Sequence, residues 1–267
     1  MQPTADVVKE LQSIPGALFP PYPNPSGRPP RRIYQLPAHV EELVFSFDSV
    51  DYPEWVQEEV WEPANQAVQG DTSRHPQRVG VDALAWYVSF HHNGPNWGIY
   101  IPVSSLAYFE CCVLRDLPLG REAKWHLAFQ ILLAHERMHF IVDYHCAQWE
   151  LLLHSPCWAA LCERMKADAN TYLATEEQVA NAFMLQRLRS RCSSLARKAI
   201  DAFVRKQPPG YRDAQLVTED AAFLSAFAEV IKSYVGLHSL ELGLHITADS
   251  FEVVRDFPMT ARSESYS

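Results

Sequence analysis

Three residues in the segment ILLAHERMHFIVDYH, positions 131–145, have the types and spacing of a metal site. His135 and His139 are four positions apart, and Glu136 follows the first histidine. On an α-helix four residues make slightly more than one turn and rise about 6 Å, so both imidazoles project from one face and can bind one ion. Glu136 lies about 100° around the helix, where its carboxylate can accept a proton from a water that the metal activates.

The run His-Glu-Arg-Met-His is the H-E-x-x-H arrangement of zinc peptidases. Catalytic zinc has three protein ligands in a tetrahedral shell and leaves the fourth position open for water. The motif therefore predicts one Zn²⁺ ion with His135 and His139 as ligands and Glu136 as general base. The alternative is a solvent-facing polar stripe on an amphipathic helix, which the apolar surroundings of the motif disfavour.

The motif leaves the third ligand open. His145, ten positions after His135, has the spacing of the metzincins, in which a glycine breaks the helix and lets a third histidine return to the metal. Val142 occupies that glycine position, and a β-branched residue strongly disfavours the positive φ that such a turn needs. On an unbroken helix His145 points about 80° away from His135. We therefore interpret His145 as a core or surface histidine.

A second candidate for the third ligand lies in TEEQVANAF, residues 175–183. This segment resembles the second active-site helix of the gluzincins, metallopeptidases in which a glutamate ligand is followed four residues later by Asp or Asn. The resemblance implies that Glu177 is the third ligand and that Asn181 supports a ligand histidine. Their i, i+4 spacing agrees, because it places both side chains on one helix face. Glu176 faces about 100° away, and we interpret it as a charge favoured by the helix dipole near a capping box at Thr175.

Within the gluzincins, EEQVANAF is most similar to the E-x-E-A-N-x-F-A helix of the IrrE/ImmA-like peptidases. These are cytoplasmic zinc proteins that are typically linked to cleavage of a specific repressor or regulator. The resemblance covers about residues 120–190. Arg137 stands where that family commonly has glycine, and the 38 positions from His139 to Glu177 exceed the gap in the shortest gluzincins. The resemblance implies a zincin-like catalytic core, with a small β-sheet and its edge strand before the active-site helix.

A β-hairpin precedes the predicted site. Residues 82–90 and 97–103 are rich in β-branched and aromatic residues, and the turn cluster HHNGPN separates them, so His91 and His92 are interpreted as turn residues. In zincins an edge strand at this position binds extended substrate by strand addition. We expect the second strand to do so, with a plain core strand as the alternative; its central residues are Gly98, Ile99 and Tyr100.

Helices dominate the rest of the pattern, so the predicted class is α+β, helix-dominated. Ser104 and Ser105 can cap a helix, and the absence of proline and glycine after Arg121 predicts a long one. The predicted helices after residue 120 are 121–153, 155–166, 175–205 and 219–236. The less regular ends include predicted strands at 40–47 and 245–257 and a short helix at 52–67. We divide the chain into a proline-rich arm (1–36), a zincin-like catalytic domain (37–206) and a C-terminal helical and strand subdomain (207–267).

Several further residues are weaker candidates. Asp143 is four positions after His139 and could accept its ring N–H, although an ordinary polar helix residue is an equal alternative. A zinc peptidase also needs a donor for the oxyanion. Tyr211 and His245, with His238 as a further option, are candidates for that donor, and spacing singles out none of them.

Composition limits the partners. A net charge of −9 without a basic stripe disfavours nucleic-acid binding. The sequence contains no 18-residue apolar run and no signal-peptide pattern, so we expect no membrane span and a cytoplasmic protein. Six cysteines without C-x-x-C spacing are expected to be buried thiols rather than disulfides. The expected partner is a protein or peptide substrate, and the sequence does not indicate an oligomeric state.

These observations predict a zinc-dependent metallopeptidase that hydrolyses peptide bonds, with Glu136 as general base and then general acid. Two alternatives stay open. The chain could be a non-catalytic zinc-containing binding or sensor module, or a metal-dependent hydrolase that acts on a non-peptide amide or ester.

Overall fold

A computed structural model describes residues 3–20, 81, 84–92, 98–101, 103–167, 169–189 and 191–236. Helices dominate this part of the chain, and one small antiparallel hairpin accompanies them. The elements in chain order are α1 (Pro3–Leu11), β1 (Trp86–Val88), β2 (Gly98–Tyr100), α2 (Val103–Tyr108), a π-helical turn (Phe109–Val113), α3 (Arg121–Leu153), α4 (Cys157–Ala167), α5 (Ala169–Arg189), α6 (Ser194–Arg205), a 3₁₀-helix (Tyr211–Val217) and α7 (Asp220–Val235).

The central element is α3, which has the predicted bounds. It follows Gly120 in an extended conformation and ends at His154, whose left-handed backbone (φ 49°) closes the last turn by donating its N–H to the Glu150 carbonyl. Its middle is buried on nearly all sides, because α5 and α7 pack along it. A helix that is covered all round places its polar residues inside the protein, where they need partners.

The predicted hairpin is confirmed, with shorter strands than predicted. Tyr87 of β1 faces Ile99 of β2 in an antiparallel register. The N-terminal segment reaches the same region, because Phe19 forms a parallel bridge with His92 and its N–H donates to the His91 carbonyl at 2.8 Å.

The single helix predicted over 175–205 is wrong, because two helices cover this stretch. Thr175 does not open a helix, since α5 begins six residues earlier at Ala169 and contains the whole TEEQ run. Helix α5 ends at Arg189, and α6 begins at Ser194, directly after Ser193, whose side chain accepts the Ala196 N–H. In a continuous helix a backbone carbonyl of the preceding turn would accept this N–H. The side-chain cap replaces that carbonyl at the start of a new helix.

The helices predicted at 155–166 and 219–236 are present as α4 and α7. The helix expected after the serine pair begins at Val103 and passes into a π-helical turn that ends at Val113. The predicted strands at 40–47 and 245–257 and the helix at 52–67 lie outside the described residues.

All six cysteines are free, as expected, but they are not all buried. Cys111 and Cys112 are exposed because they lie at the surface in the π-helical turn, whereas Cys146 and Cys157 are in the interior. Within the described stretches, none of the helices has the length and apolar character needed to span a bilayer.

Candidate metal centre

The packing of α5 along α3 brings three candidate metal ligands together. His135 and His139 come from α3 and Glu177 comes from α5, and their ligand atoms all lie within 4.8 Å of one another. The two Nε2 atoms are 3.3 Å apart, and Glu177 Oε2 lies 3.2 Å from His135 Nε2 and 3.6 Å from His139 Nε2.

These separations fit a tetrahedral zinc ion. With metal–ligand bonds of about 2.0–2.1 Å and a tetrahedral angle, two ligand atoms are about 3.3–3.4 Å apart. The three distances in this group, 3.2, 3.3 and 3.6 Å, bracket that value. The side chains are therefore already arranged as three corners of a tetrahedron, and two neutral nitrogens with one carboxylate oxygen are a donor set that zinc accepts.

Asn181 determines which ring nitrogen of His135 carries a proton. Its Nδ2 donates to Gln207 Oε1 at 3.1 Å and to the Tyr211 carbonyl at 3.0 Å, so its Oδ1 must be the atom that faces the histidine. That Oδ1 lies 2.9 Å from His135 Nδ1. An oxygen acceptor there requires a proton on Nδ1, which leaves the lone pair of Nε2 directed at the metal position.

Glu176 has the equivalent role for His139. Its Oε1 lies 2.7 Å from His139 Nδ1, so the carboxylate holds the proton on Nδ1 and frees Nε2 for the metal. Our interpretation of Glu176 as a charge near a helix start is wrong, because α5 already extends two turns before it. The only signal in the sequence was its position next to Glu177.

Asp143, the candidate proposed from spacing for this role, is used elsewhere. Its carboxylate lies 2.7 Å from His91 Nδ1 and accepts hydrogen bonds from three hydroxyl groups, which belong to Tyr87, Ser89 and Tyr234. It is turned toward β1 and α7, so the i, i+4 relation with His139 does not make it the acceptor of that ring.

The carboxylates of the centre favour a positive charge between them, either on a histidine ring or on a bound cation. Burial alone would raise the pKa of Glu177, but His139 and His135 beside it lower that pKa to about 2. Burial would also lower the pKa of His139, yet Glu177 and Glu176 raise it well above its ordinary value. Two carboxylates around one imidazole therefore make a pocket that is suited to a cation.

Glu136, the predicted base, is 1% exposed and follows the candidate ligand His135 on α3. His145 is not part of the ligand group, as the helix geometry predicted. Its ring packs edge-on against Phe227 with centroids 5.4 Å apart, and burial lowers its pKa to about 4. It is a core histidine on an unbroken helix.

Of the candidate donors for the oxyanion, only Tyr211 lies among the described residues. Tyr211 lies beside the centre, with its ring nearly parallel to that of His135 at a centroid distance of 6.4 Å. His245 and His238 lie outside the described residues.

A cavity of about 420 Å³ opens beside His139 and Glu176. Where side chains are described, the residues of the hairpin that line it belong to β1 and to the segment that follows it, and include Trp86, Ser89 and His92. Ile99 of β2 does not line it. Among the residues with described side chains, the strand that borders the cavity is β1. Our expectation that Gly98, Ile99 and Tyr100 of the second strand meet the substrate stays a prediction.

A buried ionic cluster joins the segment that follows β1 to α3. His91, interpreted from sequence as a turn residue, is 0% exposed and lies between Asp143 and Glu150, which are seven residues apart on one face of α3. Burial lowers the pKa of His91, but the two carboxylates raise it to about 9, so the imidazolium form is favoured at neutral pH. The Trp158 ring stacks on the His91 ring, and the backbone N–H of Trp158 donates to Glu150 Oε1.

Comparisons with known proteins add no family to this description. No family model, no curated protein and no solved structure matches the chain.

Proposed function

We propose that the chain is a zinc-dependent metallopeptidase with a zincin-like core, in which α3 and α5 are the two active-site helices. The observation that carries the proposal is the convergence of His135 Nε2, His139 Nε2 and Glu177 Oε2 at tetrahedral spacing. Both histidines have their Nδ1 protons held by acceptors, so the lone pairs needed for a metal are available without rearrangement.

Zinc at this position would polarise the scissile carbonyl and lower the pKa of a water molecule. Glu136 accepts a proton from the attacking water and then donates it to the nitrogen of the leaving amine, so that the C–N bond breaks without expelling an amide anion. We assign to Tyr211, whose ring lies 6.4 Å from that of His135, the hydrogen bond to the oxygen on which negative charge develops.

We assign substrate binding to β1, because it borders the cavity that reaches His139. An extended peptide could add to the edge of this strand through main-chain hydrogen bonds. By resemblance to the IrrE/ImmA-like peptidases, the substrate would be a specific regulatory protein in the cytoplasm.

Metal binding is the first test. We expect the purified chain, after removal of metal with a chelator, to take up one equivalent of Zn²⁺ in a competition titration with a chromophoric chelator. His135→Ala, His139→Ala and Glu177→Ala should each weaken uptake by at least about 100-fold, because each removes a ligand. His126→Ala is the matched control, since it removes another α3 histidine, which contacts Gln130. Equal affinity in His139→Ala and His126→Ala would contradict the assignment of the centre.

Catalysis is tested separately with Glu136→Gln. This variant keeps the size of the side chain but cannot accept a proton, so we expect it to retain Zn²⁺ and to lose cleavage of protein and peptide substrates by at least about 100-fold. Full peptidase activity in zinc-loaded Glu136→Gln would refute the mechanism. Cleavage of simple amides or esters but of no peptide would favour a non-peptide hydrolase.

A further inference from the structure

We infer that the cavity beside the metal centre receives a large, uncharged apolar side chain of the substrate, next to the bond that is cleaved. The inference rests on the proposed function, because it takes His139 and Glu176 as the catalytic end of the cavity.

The walls are largely apolar and aromatic. Trp86 and Val88 of β1 and Val142 of α3 contribute one side, and α4 contributes Trp158, Leu161 and Met165. Trp86 is 37% exposed, so a substrate can reach this surface from solvent. Helix α4 lies in the stretch between the two ligand-bearing helices, so the extra length of that stretch builds the apolar wall.

The polar groups of the cavity already have partners within the chain. Asp143 accepts hydrogen bonds from Tyr87 at 2.8 Å, Ser89 at 2.7 Å and Tyr234 at 2.9 Å, and it also contacts the His91 imidazole. These contacts use the two hydroxyls of the lining tyrosines, which leaves their rings as additional apolar surface.

The remaining polar side chains are engaged in the same way. Glu176 and His139 contact each other at 2.7 Å, and His92 Nδ1 lies 3.2 Å from the Pro20 carbonyl. A polar substrate group would give up its hydrogen bonds with water and compete with these internal contacts, which costs free energy. An apolar group loses nothing in that exchange and gains contact area.

Charge excludes acidic side chains from the cavity. Two carboxylates, those of Asp143 and Glu176, line it, and no Lys or Arg does so among the residues with described side chains. An acidic substrate side chain would meet these two carboxylates, and no described Lys or Arg side chain in the lining could pair with it. A basic side chain would find both carboxylates paired with histidine rings, so it gains less than the walls offer to an aromatic or aliphatic group.

The test uses two series of internally quenched peptides. One series varies the residue before the cleaved bond and the other varies the residue after it, with Phe, Leu, Gly, Lys or Glu at the varied position. We expect kcat/KM to favour Phe and Leu over Gly by about tenfold or more, as for burial of a large apolar side chain, and Glu to be the poorest. Equal rates for Phe and Gly, or the highest rate for Lys, would overturn the inference.

Binding separates this inference from the proposed function. The same peptides are titrated into zinc-loaded Glu136→Gln, with heat and intrinsic tryptophan fluorescence, to which the cavity residues Trp86 and Trp158 contribute, as readouts. The same order of affinity is expected. If Phe and Leu peptides bind in that order but wild type cleaves none, the inference stands and the peptidase proposal fails. If all peptides are cleaved equally, the peptidase proposal stands and the inference fails.

Two variants of α4 test whether the preference for Phe over Gly arises in this cavity. Met165→Glu places a carboxylate in the apolar wall and should reduce the Phe-over-Gly ratio to near one while raising the affinity for the Lys peptide. Ala160→Glu adds the same charge on the exposed side of α4 and should leave the order unchanged. An unchanged Phe preference in Met165→Glu, with its helix content intact by circular dichroism, would show that this cavity is not the binding surface.

Discussion

Replacing Asn181 with leucine should weaken zinc binding although Asn181 does not contact the metal position. Neutral His135 has two tautomers, and only the form with a proton on Nδ1 leaves Nε2 available for zinc. In the wild type that form is stabilised by the 2.9 Å contact with Asn181 Oδ1. Without the acceptor, the form with a proton on Nε2 gains the advantage, because it can donate to Glu177 Oε2 at 3.2 Å.

The burial of His135 and Asn181 determines how much zinc affinity Asn181→Leu should lose. His135 and Asn181 are each 0% exposed, so water does not readily replace the lost acceptor. An unpaired buried donor costs about 1–3 kcal/mol, and that cost falls on the zinc-bound state, in which Nδ1 must keep its proton. At about 1.4 kcal/mol per tenfold, the zinc dissociation constant of Asn181→Leu should rise roughly 10- to 100-fold, the usual range for loss of such a partner.

The assay is a competition titration of zinc with matched variants. Asn181→Asp retains an acceptor for His135 but turns a carboxylate toward Gln207 Oε1 and the Tyr211 carbonyl, so it should bind zinc nearly normally and unfold more easily. Gln178→Leu removes a side-chain bond from α5 to the Asp213 carbonyl without touching a ligand, and it serves as the control. An Asn181→Leu affinity equal to that of Gln178→Leu would refute the role of the tautomer.

Three further outcomes concern stability and pH; stability is measured by urea unfolding of the metal-free chain, and zinc affinity by the competition titration at neutral pH. Gly210→Ala should cost at least about 2 kcal/mol and alter the environment of Tyr211, because Gly210 has φ +89° and an added Cβ would lie 2.7 Å from the Ala174 backbone. His91 has a raised pKa of about 9 between Asp143 and Glu150, so its stabilising contribution is present below its unfolded pKa of about 6.5 and is lost as pH rises toward 9. Wild type should lose up to about 3 kcal/mol over that window and His91→Gln should not; parallel curves would contradict the ionic cluster. His145 has a pKa lowered by burial to about 4, so its contribution is present above pH 6.5 and lost as pH falls through 4. His145→Phe should remove that acid sensitivity without changing zinc affinity, and weaker zinc binding in this variant would make His145 part of the centre.

Local sequence determined the parts of this protein that depend on neighbours along the chain. The absence of proline and glycine after Arg121 was enough to predict α3 with its bounds, because helix continuity is a short-range property. The i, i+4 spacing likewise placed His135 and His139 on one face, and the pattern of Glu177 and Asn181 identified the side chains that reach them.

Only the tertiary structure decided which distant groups meet. His91 and Glu150 are separated by 59 positions, and nothing in a turn cluster indicates that its histidine is enclosed by two carboxylates of a helix. The contact of Glu176 with His139 and the turning of Asp143 toward β1 were likewise set by the rotation of α5 and the hairpin against α3. Spacing within one helix determines which side chains share a face, but the partner of each polar group is selected by what packs on that face, because a buried group must be satisfied by whichever element covers it.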